Sequence, residues 1–124
     1  MLENHSDYKI VNLDLLTYAG NLENLKGMEN NLNYKFAQGD IGDLENNTRL
    51  LRDEKIDVIV NFAAESHNGR AMVEPDIFVK TNVLGTQMLL EASRIVGVKR
   101  FHHISTCEVF GDLALDEERS FKEY

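Results

Sequence analysis

Residues 57–64 read Asp-Val-Ile-Val-Asn-Phe-Ala-Ala and run into Glu65-Ser66-His67. The stretch is β-branched and nearly continuous in apolar character, as expected for a parallel strand buried on both faces. Small residues at its C-terminal end let a ligand approach the backbone, and ligands in open α/β sheets bind at that edge. A tight strand-to-helix packing turn is the alternative reading of Ala63-Ala64. Upstream, Tyr8 to Leu13 and Tyr34 to Ala37 read as two further strands, the second ended by Gly39-Asp40. Between them Leu22 to Met28 makes a short, loosely specified helix. Asp43 caps a helix through about Lys55, whose apolar residues Leu44, Leu50, Leu51 and Ile56 recur at roughly helical spacing. Downstream, a helix spans about Asn82 to Val96 with Leu84, Met88, Leu89, Ala92 and Ile95 on its apolar face, and Gly97 stops it. Arg100 to Ser105 is one more strand. Strands alternating with helical segments imply crossover connections and a doubly wound parallel α/β sheet.

The 124 residues are one domain's worth or less, and a hydrophobic fraction of 43% suits a globular chain. Asp and Glu number 21 against 13 Lys and Arg, a net charge of −8 that repels a nucleic-acid backbone. An anionic nucleotide must then be held locally, by backbone amides or a single Arg. The lone Cys107 excludes an internal disulfide and suits a reducing cytoplasm. The first seven residues lack the basic and apolar regions of a signal peptide, and no apolar run approaches membrane-spanning length.

Four strand ends carry candidate chemistry: Ala63 to His67, Asp40-Ile41, where Gly-Asp alone is a turn signal, Asp14 and Ser105 to Glu108. Asp14 follows the first strand, where dinucleotide-binding folds place an acid on the ribose hydroxyls that also repels a 2′-phosphate. That acid normally lies about 20 residues past a glycine-rich turn. Here 13 residues precede Asp14 and none is glycine, so a turn role for Asp14 stands beside the ligand role. Ser105-Thr106-Cys107-Glu108 ends the last strand. A hydroxyl beside a carboxylate suits acid–base work, and a plain surface acid is the other reading of Glu108. His102 and His103 point to opposite faces of a strand and cannot share a metal, and no metal site is expected.

Five segments, taken together, are specific. Asp14-Leu-Leu-Thr-Tyr-Ala-Gly-Asn21 resembles the D-x-L-T-Y-A-G-N segment of dTDP-glucose 4,6-dehydratases, and Gly39-Asp40-Ile41 resembles their G-D-I. Ala63 to His67 (AAESH), Thr81 to Thr86 (TNVLGT) and His103 to Asp112 (HISTCEVFGD) are similar to three more of their motifs, in the same order. The chain is thereby identified as a member of that family of extended short-chain dehydrogenases. The resemblance implies a Rossmann domain that binds NAD, here partial and spanning residues 1–124 without the substrate domain. It implies conversion of dTDP-glucose to a 4-keto-6-deoxy sugar by oxidation at C4, water loss across C5–C6 and hydride return to C6. It places Asp14, Leu15, Leu16 and Thr17 on the adenosine ribose side and Asp40 and Ile41 at the adenine. It places Phe62, Ala63, Ala64, Glu65 and Ser66 along the cofactor, with Thr81 near it. Ser66 and Thr106 would touch the sugar, Cys107 holds the position of the general acid for dehydration, and Glu108 that of the C5 base. A homodimeric, cytoplasmic parent enzyme is implied as well. A related nucleotide-sugar epimerase and a non-catalytic, self-associating fragment are the alternatives.

The sequence also departs from the pattern. The first strand and its glycine-rich turn are expected to be missing, with Met1 inside the helix that follows them. The Tyr-x-x-x-Lys pair that drives C4 oxidation lies beyond Tyr124. The acid Asp is Cys107, and the usual V-D-R-S after AAESH reads Asn68-Gly69-Arg70-Ala71. In a Rossmann sheet the first strand is central, so its absence leaves a gap or forces the neighbouring strands to re-pair. Weak or no NAD binding and no turnover are expected of these 124 residues alone.

Overall fold

The computed structural model describes residues 1–114 and 119–122. Four strands form: β1 (Ile10–Asp14), β2 (Tyr34–Gln38), β3 (Val58–Asn61) and β4 (Arg100–His103). They make two parallel pairs, β1 with β2 and β3 with β4, rather than one sheet. In the doubly wound order 3-2-1-4-5 these pairs occupy the two flanks and the central place has no strand. The expected gap therefore remains among the described residues, and the strands do not re-pair across it.

Helix α1 (Leu44–Asp53) follows β2, and a run of helical segments, broken between Ala71 and Pro75, follows β3. That run comprises the single turns α2 (Asn68–Ala71) and α3 (Pro75–Phe78), a π-helical segment Val79–Gly85, and α4 (Thr86–Val96). Asp43 caps α1 by accepting the Asn46 N–H at 3.0 Å, and Asn46 holds the Asp43 carboxyl below the usual carboxylate range. Lys55 in left-handed conformation ends it. Gly97, with φ +82°, ends α4 as an αL cap. Helices α1 and α4 pack on each other. The buried apolar residues among those described are few: Leu2, Ile41, Leu51, Leu89 and Ala92.

Several sequence expectations are corrected. The first strand starts at Ile10, because the Tyr8 N–H closes a turn onto the His5 carbonyl. Leu22–Leu25 is a single 3₁₀ turn rather than a helix to Met28, since Lys26 is extended and Gly27 takes φ +91°. The third strand stops at Asn61, whose side chain accepts the Ala63 N–H at 3.1 Å and turns the chain out of the sheet. Nor is that strand buried on both faces: Ile59 and Asn61 are covered, whereas Val58 and Val60 are 52% and 42% exposed. The last strand ends at His103, because its partner β3 has ended. The long helix begins seven residues before Asn82, at Pro75 in the first helical position. Its buried face is Gly85, Leu89, Ala92 and Ser93, and Leu84 and Ile95 lie off it.

Glu54, just past α1, accepts from Lys9 and Lys35 and so ties that helix to the β1–β2 pair. The two ammonium groups, Lys35 foremost, hold its carboxyl below the usual carboxylate range. A folded-state value below the unfolded one stabilises above the ordinary carboxylate range and is lost as pH falls through the folded value. Glu54→Gln is therefore expected to flatten the acid limb of a melting-temperature profile and to leave its neutral limb nearly parallel to wild type.

Candidate cofactor-binding edge

Apart from Thr81, which lies in the helical segment after β3, the candidate site residues sit at or just past the C-terminal end of a strand. After β1 the chain folds over at once. The Asp14 carboxylate accepts the Leu16 N–H at 2.7 Å, Leu16 takes φ +57°, and the Gly20 N–H closes a turn onto the Thr17 carbonyl. A Cβ on Gly20 would lie 2.6 Å from Leu16 Cα, so only glycine fits this fold-over. The turn role of Asp14 is thus real. It uses one oxygen of an exposed carboxylate and leaves the other facing solvent.

After β2, Asp40 accepts the Gly42 N–H at 2.7 Å. Ile41 is buried against Gly85, where a Cβ would lie 3.0 Å from Ile41 Cδ1. Any ligand contact by Ile41 is therefore made mainly by its backbone. The buried Asn47 of α1 donates to the carbonyls of Asp40 and Ile41 at 3.0 and 2.8 Å and fixes this turn.

After β3, Phe62, Ala64 and Ser66 are exposed, Ala63 is half-buried and Glu65 is buried. Asn82, in the π-helical segment, grips Glu65 from both sides. Its Oδ1 accepts the Glu65 N–H at 2.8 Å and its Nδ2 donates to the Glu65 carbonyl at 2.9 Å. This two-point clamp sets the backbone of residues 63–66 as a neighbouring strand would. Thr81, the residue before it, is half-buried. After β4, Thr106, Cys107 and Glu108 are all exposed on a 3₁₀ turn, Cys107–Phe110, with Cys107 Sγ 3.6 Å from Glu108 Oε2.

The loops after β1 and β3 touch, and the strand ends that carry the other two lie beside them. The Arg70 guanidinium lies 4.2 Å over the Tyr18 ring in the loop after β1. The same group bonds Glu74 at 2.7 Å and stands 3.8 Å from Glu65 Oε2, a buried oxygen with no hydrogen-bond partner. The Ile41–Gly85 contact joins the loop after β2 to the helix after β3. Asn61 pairs with His103, so the ends of β3 and β4 are adjacent. The edge is therefore one surface although the sheet beneath it is two. Among the described residues no group of three or more His, Cys, Asp or Glu is placed to hold a metal ion, and no helix is long and apolar enough to cross a membrane.

Residues 1–123 match the sequence profile of GDP-mannose 4,6-dehydratases. The chain belongs to the GDP-mannose 4,6-dehydratase family. Within that family its relatives are the enzymes that the sequence motifs resemble. A dTDP-glucose 4,6-dehydratase of Xanthomonas campestris pv. campestris is 47% identical across 85% of this chain. Among solved structures, DesIV, a dTDP-glucose 4,6-dehydratase from Streptomyces venezuelae crystallised with NAD bound, superposes on 91% of the chain with a TM-score of 0.82 at 39% identity. The UDP-Glc/GlcNAc 4-epimerase of Campylobacter jejuni superposes on 85% with a TM-score of 0.76 at 30% identity. The chain spans about a third of each: 32% of the first, 36% of the second and 32% of the third. The fold is accordingly an incomplete Rossmann-like α/β sheet, with both half-sheets placed as in complete members of this group.

Asn47, Asn61 and Asn82 organise this edge of the dehydratase fold, and the sequence reading named none of them as a site residue. Asn47 carried a signal, being polar on the inward stripe of an amphipathic helix. Asn82→Ala would leave the Glu65 N–H and C=O without partners, at a cost on the order of 1–3 kcal/mol. The expected result is a lowered melting temperature and faster amide exchange at Glu65. Asn82→Asp, which keeps the acceptor, should recover part of both.

Proposed function

We propose that this chain is the cofactor-binding part of an NAD-dependent nucleotide-sugar 4,6-dehydratase acting on dTDP-glucose or a similar nucleotide sugar. The observation that carries the reading is the placing of the candidate residues at one edge of the strands, where Arg70 joins Tyr18 to Glu65 and Ile41 packs on Gly85. The relatives' activity supports the choice of reaction. Residues 1–124 are then a partial NAD-binding domain of a complete enzyme that is cytoplasmic and homodimeric.

The adenosine end of the cofactor fits what the edge offers. The free oxygen of Asp14 takes the ribose, beside Leu15, Leu16 and Thr17, and Asp40 with the Ile41 backbone takes the base. Phe62 to Ser66 and Thr81 line its path. No glycine-rich turn for the pyrophosphate lies among the described residues, so the isolated chain binds NAD weakly. Bound NAD supplies the hydride acceptor for oxidation at C4 and the donor for return to C6. The chain's own residues act on protons. Ser66 and Thr106 orient the sugar, Glu108 takes the C5 proton, and residue 107 delivers a proton to the departing hydroxyl. A thiol is a weak hydrogen-bond donor, so Cys107 is a poor acid for that step.

The test is a chimaera carrying these 124 residues in place of the matching third of the Xanthomonas enzyme. With Cys107→Asp it is expected to convert dTDP-glucose to the 4-keto-6-deoxy product, followed by NMR. A folded chimaera that instead interconverts sugar epimers without losing water would replace this reading with the epimerase one.

A further inference from the structure

We infer that Asn61 is a positioning residue that fixes the His103 ring as its Nε2–H tautomer and ties the Ala63 turn to the protonation state of that ring. Asn61 ends β3, is 3% exposed and lies opposite His103 in the β3–β4 pairing. Its backbone carbonyl accepts the Ile104 N–H at 3.1 Å. Its side-chain Oδ1 accepts the Ala63 N–H at 3.1 Å, and its Nδ2 stands 3.2 Å from His103 Nδ1. One buried amide thus holds two strand ends. One opens into Ala63 to Ser66, and the other leads to Thr106, Cys107 and Glu108. Asn61 is the one polar side chain of β3, and this double bond accounts for it.

The chemistry of the amide leaves one assignment. A backbone N–H can only donate, so the atom facing Ala63 must be Oδ1. The atom facing His103 is then the NH₂ group, another donor, and Nδ1 must offer a lone pair. The proton of the neutral ring accordingly sits on Nε2. When His103 gains a second proton, Nδ1 becomes a donor, and two donors face each other at 3.2 Å. The amide answers by turning over. Oδ1 then accepts from the imidazolium, and Nδ2 is left against the Ala63 N–H. A hydrogen bond to a charged group is roughly twice as strong as a neutral one, so the turned amide wins. The N–H that it gives up belongs to half-buried Ala63, which water can reach.

Strand β3, on which β4 packs, brings no charge to the ring. Strand β4 itself brings Arg100 and His102, and His102 points to the opposite face. The loops beyond the two strands bring Glu65, His67, Cys107 and Glu108. Signals of His103 and Ala63 themselves separate the link from the titration of these neighbours. The link rests on the proposed function only for its consequence. Release of the Ala63 turn on the acid side would loosen the stretch from Phe62 to Ser66 that lines the cofactor's path.

The experiment follows the 124-residue chain by NMR, without NAD, as pH is lowered through the titration of His103 read from its own Cε1–H signal. The protection factor of the Ala63 amide should fall about tenfold in step with that signal, the worth of one hydrogen bond. His103→Gln changes an exposed residue and keeps an oxygen that can accept from Asn61 Nδ2. It should hold Ala63 protected across the same range. Asn61→Asp offers a carboxylate that accepts from Ala63 and the ring at once. It should also keep Ala63 protected, and should move the proton of the neutral ring to Nδ1, seen in the nitrogen shifts of the ring. Constant protection of Ala63 in the wild type, or an equal fall in His103→Gln, would overturn the proposal. A ring in Asn61→Asp that keeps its proton on Nε2 would overturn it as well. Release of Ala63 as expected, with NAD affinity of the chimaera unchanged over that range, would leave the link standing and remove Ala63 from the cofactor's path.

Discussion

Replacing Cys107 by Asp in the chimaera is expected to raise the rate of water loss about 10²–10⁴-fold, the usual contribution of a positioned general acid. The sequence places a thiol beside Glu108, and the structure brings Sγ within 3.6 Å of that carboxylate. A thiol there offers its proton to the very group that must take one from the sugar. A carboxyl group is the stronger acid and hydrogen-bonds a leaving hydroxyl more strongly. The gain should fall on dehydration and not on C4 oxidation, so single-turnover kinetics should show an oxidised intermediate accumulating with Cys107 and not with Asp. Equal rates for the two versions would remove residue 107 from the acid role.

Leu89→Ala is expected to abolish the cooperative thermal transition of the 124-residue chain. Leu89 is 4% exposed on the face of α4 that packs on α1, and only four other apolar residues among those described are buried. Truncating a buried leucine costs about 2–5 kcal/mol, against a total of about 5–15 kcal/mol for an ordinary domain. A core this thin, under sheet edges that lack a central strand, leaves the total at the low end. Leu90→Ala, at an exposed position on the same helix, should shift the melt by little. A sharp transition retained in Leu89→Ala would show that stability resides elsewhere.

The four strands and the α/β class were legible because short apolar or aromatic runs, β-branched in Ile10-Val11 and Val58–Val60, alternate with segments of helical period. The open centre of the sheet was legible too, from the absence of glycine before Asp14. What escaped the sequence depends on contacts far along the chain. The grip of Asn82 on Glu65 spans 17 residues, and nothing local marks it. The π-helical turns of Val79–Gly85 have no period that distinguishes them, although Pro75 marked the true start of the helix. Val58 and Val60 read as buried because continuous apolar strands usually are. They are exposed because one face of the β3–β4 pair is uncovered among the described residues. At the site, the motif positions were legible and their tethering was not. Arg70 looked like one survivor of an altered loop, yet it is the cation that joins Tyr18 to Glu65.

NAD binding by the chimaera, measured against NADP by calorimetry, tests the central claim most directly. The account predicts that the folded chimaera binds NAD in preference to NADP, and that Asp14→Ala weakens NAD binding and erases the preference. A folded chimaera that binds neither, or that binds both alike with Asp14 intact, would contradict it.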